Sequence, residues 1–157
     1  MSVAQVMQEQ DARQIGGVVE RLVREANARV VFIIDKNGNL IAGSGETDLD
    51  TTSLASLTAG NIAATGGIAK LLQENEFATQ FHEGERANIH IQVVGKQVIL
   101  VVIFDSKTSL GLVRLRVKKA NEEIGRVLDA MKDRSSGGQA SPFDEITDDD
   151  IDKLFSD

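Results

Sequence analysis

The sequence predicts an α+β domain in which helices cover the faces of an antiparallel sheet. Two observations carry this. Apolar residues recur at three-four spacing in separate stretches, the mark of amphipathic helices. Between them lie short β-branched runs joined by tight-turn signals, and strands connected by tight hairpins pair antiparallel.

Ile15, Val18, Val19, Leu22, Val23 and Ala26 define a first helix over residues 11–27, extensible upstream. Residues 30–34 form a continuous apolar run that reads as a buried strand. Asp35-Lys36-Asn37-Gly38 is a turn signal, and residues 39–42 return as a second strand ended by Gly43-Ser44-Gly45-Glu46. Residues 50–73 read as a second helix. Three further strands follow at 79–83, 88–94 and 98–104, with Gly95-Lys96 turning the last pair. Val113, Val117, Ala120, Ile124, Val127, Leu128 and Met131 give a third helix from residue 110 to about 132. The order is helix, two strands, helix, three strands, helix.

Residues 1–134 make the domain, 135–147 a small polar linker, and 148–157 a short acidic amphipathic helix. The net charge is −7, yet residues 135–157 hold seven acids and one base, so the body is almost neutral. Neither part shows the basic stripe that phosphate neutralisation needs, and six Phe without Trp or Tyr make a poor stacking surface. Nucleic acid is excluded as the expected partner. With no Cys and only His82 and His90, no metal site is expected, and no phosphate loop or nucleophile elbow occurs. No cofactor is expected either. No apolar run is long enough for a membrane span, so the expectation is a cytoplasmic protein.

The second helix is the informative one. On a wheel of 100° per residue, Leu54, Leu57, Ala64, Ile68, Leu71 and Leu72 share an arc expected to pack on the sheet. A second arc holds Ser56, Ala59, Gly60, Ala63 and Gly67, with Lys70 at its end. A helix normally carries long charged side chains there; this one presents nearly bare backbone. Glycine inside a helix costs roughly 0.5–1 kcal/mol relative to Ala. The bare arc therefore serves either a tight crossing within the chain or a docking face for another molecule, and the docking face is the expectation. Ala55, Ile62 and Ala69 lie on a flank suited to a symmetric contact between helices.

The tail carries a second recognition element. Thr147 followed by Asp148-Asp149-Asp150 matches a capping box with Asp in the acidic position, and Ile146 with Ile151 is placed for a hydrophobic staple. Ile151, Leu154 and Phe155 then share one face, with Phe143 and Ile146 as an upstream anchor. Helices this short are marginal in water alone, so the segment is expected to order on a partner.

Several segments resemble the roadblock family, the dynein light-chain roadblock type. They include Val30-Val31-Phe32, Asp35-Lys36-Asn37-Gly38, the run Asp50-Thr51-Thr52-Ser53-Leu54-Ala55-Ser56-Leu57-Thr58-Ala59-Gly60-Asn61, and Gln80-Phe81-His82-Glu83-Gly84. Val101-Val102-Ile103-Phe104-Asp105 and Thr108-Ser109-Leu110-Gly111-Leu112-Val113 belong with them. Ser141-Pro142-Phe143 with Asp148-Asp149-Asp150-Ile151-Asp152 is similar to the tails of its MglB-like bacterial branch.

The resemblance implies the roadblock fold: a five-stranded antiparallel sheet with the first and third helices on one face and the second on the other. It implies a homodimer built from edge strands around Thr79 and Phe81 and from paired second helices, with Ala55 and Ile62 at the contact. The implied role is activation of a small Ras-like GTPase of MglA type in bacterial cell polarity and gliding motility. One GTPase would sit on each dimer, and the tail would make a further GTPase contact that affects nucleotide exchange. Such a protein is a regulator of a partner enzyme, with no catalysis of its own. It would concentrate at a cell pole. The bare arc holds no Arg, so the implied activator works by positioning the partner's own catalytic residues and donates no arginine finger. The alternative is a non-catalytic roadblock scaffold that tethers polarity or motor proteins.

Overall fold

Strands β1 (Val30–Asp35) and β5 (Val98–Phe104) are buried along their whole length, which places these β-branched runs at the sheet centre. The computed structural model describes residues 3–137. Around the two central strands stand α1 (Val3–Val6), α2 (Glu9–Glu25), β2 (Leu40–Gly45), α3 (Thr51–Leu71), β3 (Thr79–Glu83), β4 (Asn88–Val94) and α4 (Leu110–Gly137). The strands form one sheet of order β2-β1-β5-β4-β3, antiparallel throughout. The α+β class, the five strands and the placement of the helices follow the sequence expectation.

Alternation along β1 and β5 sends successive side chains to opposite faces. Val31, Ile33, Leu100, Val102 and Phe104 meet Ile15, Val19 and Leu22 of α2 and Val113, Val117, Ile124 and Leu128 of α4. Val30, Phe32, Ile34, Ile99, Val101 and Ile103 face the other way, toward α3. One face is thus covered by two helices, the other by one.

Several boundaries differ from expectation. β2 continues through Gly43-Ser44-Gly45, because those residues keep pairing with Val30, Val31 and Phe32. Gly45 has φ +116, and a Cβ there would stand 2.2 Å from the Arg29 carbonyl oxygen, so only glycine fits. At the other end of the hairpin the buried Asp35 carboxylate accepts from the backbone N–H of Asn37 and Asn39, each at 2.9 Å, and from Asn39 Nδ2 at 3.0 Å. α4 runs to Gly137, beyond the expected end near residue 132 and into the expected linker. Met131 is buried and Arg134 reaches back to Asp11, which gives that last turn something to hold. The rest of the expected linker and the expected tail helix at 148–157 lie outside the described residues.

Asp11 is the buried end of that tie. Its carboxylate accepts from the Arg134 guanidinium and from the Gln8 backbone N–H at 2.9 Å, completing a capping box at the start of α2. The Arg134 guanidinium, seconded by the Gln8 N–H, outweighs burial and holds the carboxyl below the usual aspartate range. A depressed folded pKa contributes stability that is full above the unfolded value, about 3.9, and is lost as pH falls through the folded one. Asp11→Asn should therefore lower stability by about 1–2 kcal/mol at neutral pH. Urea denaturation at pH 7 and near pH 3 checks this: the gap between variant and parent should shrink at the acid end, and a constant gap would contradict the assignment.

Candidate functional site

α3 starts at a strong cap. The Asp50 carboxylate accepts from the Ser53 hydroxyl at 2.6 Å and from the Ser53 backbone N–H at 3.1 Å. Those bonds keep the Asp50 carboxyl below its ordinary range. The helix then crosses the second face of the sheet on a narrow stripe of mostly small residues. Ala55, Thr58 and Ala69 are buried, and Leu54, Ala59 and Ile62 are half-buried against the sheet.

This reverses part of the wheel reading. Leu57, Ile68, Leu71 and Leu72 were expected on the sheet but are 72%, 53%, 86% and 62% exposed. The physical reason is space: Phe32, Ile34, Ile99 and Val101 already fill that face, so the helix settles on alanine and threonine and turns its bulk outward. Ala55 and Ile62, expected at a contact between subunits, instead pack on the chain's own sheet. Phe81, also expected there, packs inward and stacks on Phe104 with ring centroids 6.0 Å apart. Thr79 is exposed, and its hydroxyl donates to Gln92 Oε1 at 2.9 Å.

The expected docking arc is mostly where the sequence places it. Ser56, Gly60, Ala63, Gly67 and Lys70 are exposed, while Ala59 is half-buried. The β1–β2 turn comes close to this helix at Gly38, where a Cβ would lie 3.4 Å from Ala59 Cβ and from Ser56 Cα. Gly60, Gly66 and Gly67 have a different setting, since a Cβ at any of them would meet nothing within 4 Å. A tight crossing within the chain therefore does not account for these three glycines. The outer side of α3 is bipartite, a bare ridge running beside the apolar row Leu57, Ala64, Ile68 and Leu71.

Two contacts hold this face in register with the rim of the sheet. Asn61 Nδ2 donates to Gln80 Oε1, and Gln80 Nε2 donates to Thr65 Oγ1, both at 2.9 Å. Gln80 lies on β3, the edge strand whose outer side has no strand partner among the described residues. Lys36 Nζ adds a 3.0 Å ion pair to Glu76, binding the β1–β2 turn to the segment after α3.

The opposite side of the molecule shows a pattern that the near-neutral charge of the body conceals. Along α4, Arg114, Leu115, Lys118 and Lys119 are exposed, with Leu115 at 61%. The three cations have no ion-pair partner among the described residues. A short basic stripe thus exists where none was expected, and its signal in the sequence is the cluster of bases around a leucine that falls off the buried stripe. Beneath α4, His90 is buried with neither ring nitrogen hydrogen-bonded; burial, with Arg114 adding, holds its imidazole below the usual range. Among the described residues no three His, Cys, Asp or Glu side chains gather as a metal ion requires, and no helix is long and apolar enough to cross a membrane. Phe143, Ile146, Ile151, Leu154 and Phe155, the expected tail contacts, lie outside the described residues.

Residues 15–104 match the family described as the Roadblock/LC7 domain. Among solved structures, the chain is similar to Myxococcus xanthus MglB at 56% identity, over 80% of this chain and 95% of that one, with a TM-score of 0.76. The gliding protein MglB from Thermus thermophilus is 33% identical over 79% of this chain and 95% of its own, with a TM-score of 0.74. An MglB described as having a tetrameric arrangement is 32% identical over 80% and 95% of the two chains, with a TM-score of 0.75. No curated protein matches the chain.

The open ridge makes a direct forecast. With helical backbone and free space at each position, Gly60→Ala and Gly67→Ala should each raise stability by about 0.5–1 kcal/mol. Thermal unfolding at low protein concentration measures this. A lowered melting temperature would mean that another backbone already closes on the ridge.

Proposed function

The chain belongs to the Roadblock/LC7 family, and from that premise we propose that it is a homodimeric activator of a small Ras-like GTPase of MglA type. Its setting is bacterial cell polarity and gliding motility. The observation that carries this reading is the bipartite outer side of α3, left open in a chain that shares most of its length with MglB proteins.

The two halves of that face suit two tasks. An exposed row of Leu57, Ile68 and Leu71 is costly in water, at about 1.5–3 kcal/mol for each large side chain that burial would satisfy. A second copy supplies the same row about a two-fold axis, and the open edge of β3 is tied to the same helix by the Gln80 amide. The dimer contact thus moves from Ala55 and Ile62 to the leucine row, with Thr79 on the adjoining rim. The bare ridge of Ser56, Gly60, Ala63 and Gly67 remains for the GTPase, with Lys70 as a single cation beside it.

Activation then proceeds by positioning. α3 contains no Arg, so it has no side chain of the kind that enters a nucleotide site in trans. Backbone that can be approached closely holds the partner's switch loops so that the GTPase's own Arg and Gln reach the transferring phosphoryl group. The tail, through Phe143, Ile146, Ile151, Leu154 and Phe155, makes a second contact that affects nucleotide exchange. One GTPase is bound per dimer.

Ala63→Arg or Gly67→Arg should weaken GTPase binding by about tenfold or more, roughly 1.4 kcal/mol, while light scattering still reports a dimer. Ile68→Asp with Leu71→Asp should instead yield monomers. Single-turnover GTP hydrolysis by the partner, with and without each variant, completes the test. Arg24→Ala, Arg86→Ala, Arg114→Ala and Arg126→Ala should leave stimulated hydrolysis within about twofold, whereas loss of an arginine finger costs about 10³-fold or more. Full binding with no stimulation by the parent protein would favour the scaffold over the activator.

A further inference from the structure

The basic stripe on α4 and the acidic tail of the same chain are complementary in chemistry and within reach of each other. Arg114, Lys118 and Lys119 are exposed and without an ion-pair partner among the described residues, and they surround an exposed Leu115. The tail offers the inverse: Asp148, Asp149, Asp150 and Asp152 around Ile151, Leu154 and Phe155. We infer that, in the absence of another partner, residues 148–157 dock on this face of α4 of their own chain, with the apolar face of the tail on Leu115 and its carboxylates toward Arg114, Lys118 and Lys119.

Length decides between reaching and missing. α4 ends at Gly137. From there back to Lys119 is about 27 Å along the helix axis, at 1.5 Å per residue. Residues 138–147 span at most about 33–36 Å when extended, enough to return alongside α4 but with little to spare. With the helical form that its capping box and apolar spacing predict from the sequence, the ten-residue tail adds about 15 Å, which carries it from Lys119 to the start of α4. Its apolar face then passes Leu115, and Ser156 arrives near Gly111. Tethering makes weak contacts sufficient, because a short linker supplies an effective concentration in about the millimolar range.

The docked tail lies on the face of the sheet opposite the bare ridge of α3. It leaves that ridge free, and it competes only with whatever else the tail binds. Docking of this kind is a property of the purified chain alone and stands apart from the GTPase reading.

The chain has no cysteine, so two introduced thiols report on each other without background. Gly111→Cys with Ser156→Cys, treated with a short flexible bis-maleimide in the full chain, should link within one chain, seen as a faster-migrating monomer band; the reagent spans the thickness of the tail helix, whose apolar face is turned to α4. Leu115→Asp, or Lys118→Glu with Lys119→Glu, should slow that cross-link by about tenfold, as should molar salt. Adding Asp148→Lys and Asp152→Lys, which flank the apolar face of the tail, to the charge-reversed helix should restore it to within about twofold. Circular dichroism confirms that each surface variant is folded. Equal cross-linking in all variants, absence of the intrachain link, or links only between chains would each overturn the inference.

Discussion

The outer side of α3 follows from how the second face of the sheet is covered, a face that must be sealed with little room to spare. β1 and β5 are apolar on both sides, so neither side can be left to water. α2 and α4 share the first face and bury their large residues conventionally. α3 has the second face to itself, and that face is already filled by Phe32 and β-branched side chains. A lone helix gains most contact there by lying close. Closeness demands small residues inward, at Ala55, Thr58 and Ala69, and expels the leucines outward.

The sequence carried the elements well and the orientation of α3 poorly. The apolar run Val98–Phe104 is legible as a buried strand, and the Gly95-Lys96 turn before it sets its hairpin with β4. The wheel of α3 also contains the right partition, but its bulkiest arc is the outer one. Bulk faces inward when a helix helps to make a core, and outward when the core beneath it is complete and a further surface awaits. Leu57 and Leu71 are leucines in either case; only the fullness of the sheet decides their direction. The end of α4 was missed for a similar reason, because what holds its last turn is a partner more than a hundred residues away, Asp11.

Charge shows the same limit. The body of the chain carries almost no net charge, yet three bases, unpaired among the described residues, share one exposed stretch of α4. On α4, Arg114, Lys118 and Lys119 gather on the outer side, over a sheet position where burial, with Arg114 adding, holds the His90 imidazole below its usual range. Summation along a chain discards the angular information that a helix supplies. The bare ridge, by contrast, was legible because glycine and alanine announce a missing side chain whichever way the helix turns.

The amide of Gln80 joins the rim strand to the middle of α3 through Asn61 and Thr65. Rim and helix are thereby tied to each other at one point by two hydrogen bonds. A strand added to that rim would meet α3 at an angle already set by the sheet's twist, before any contact between helices.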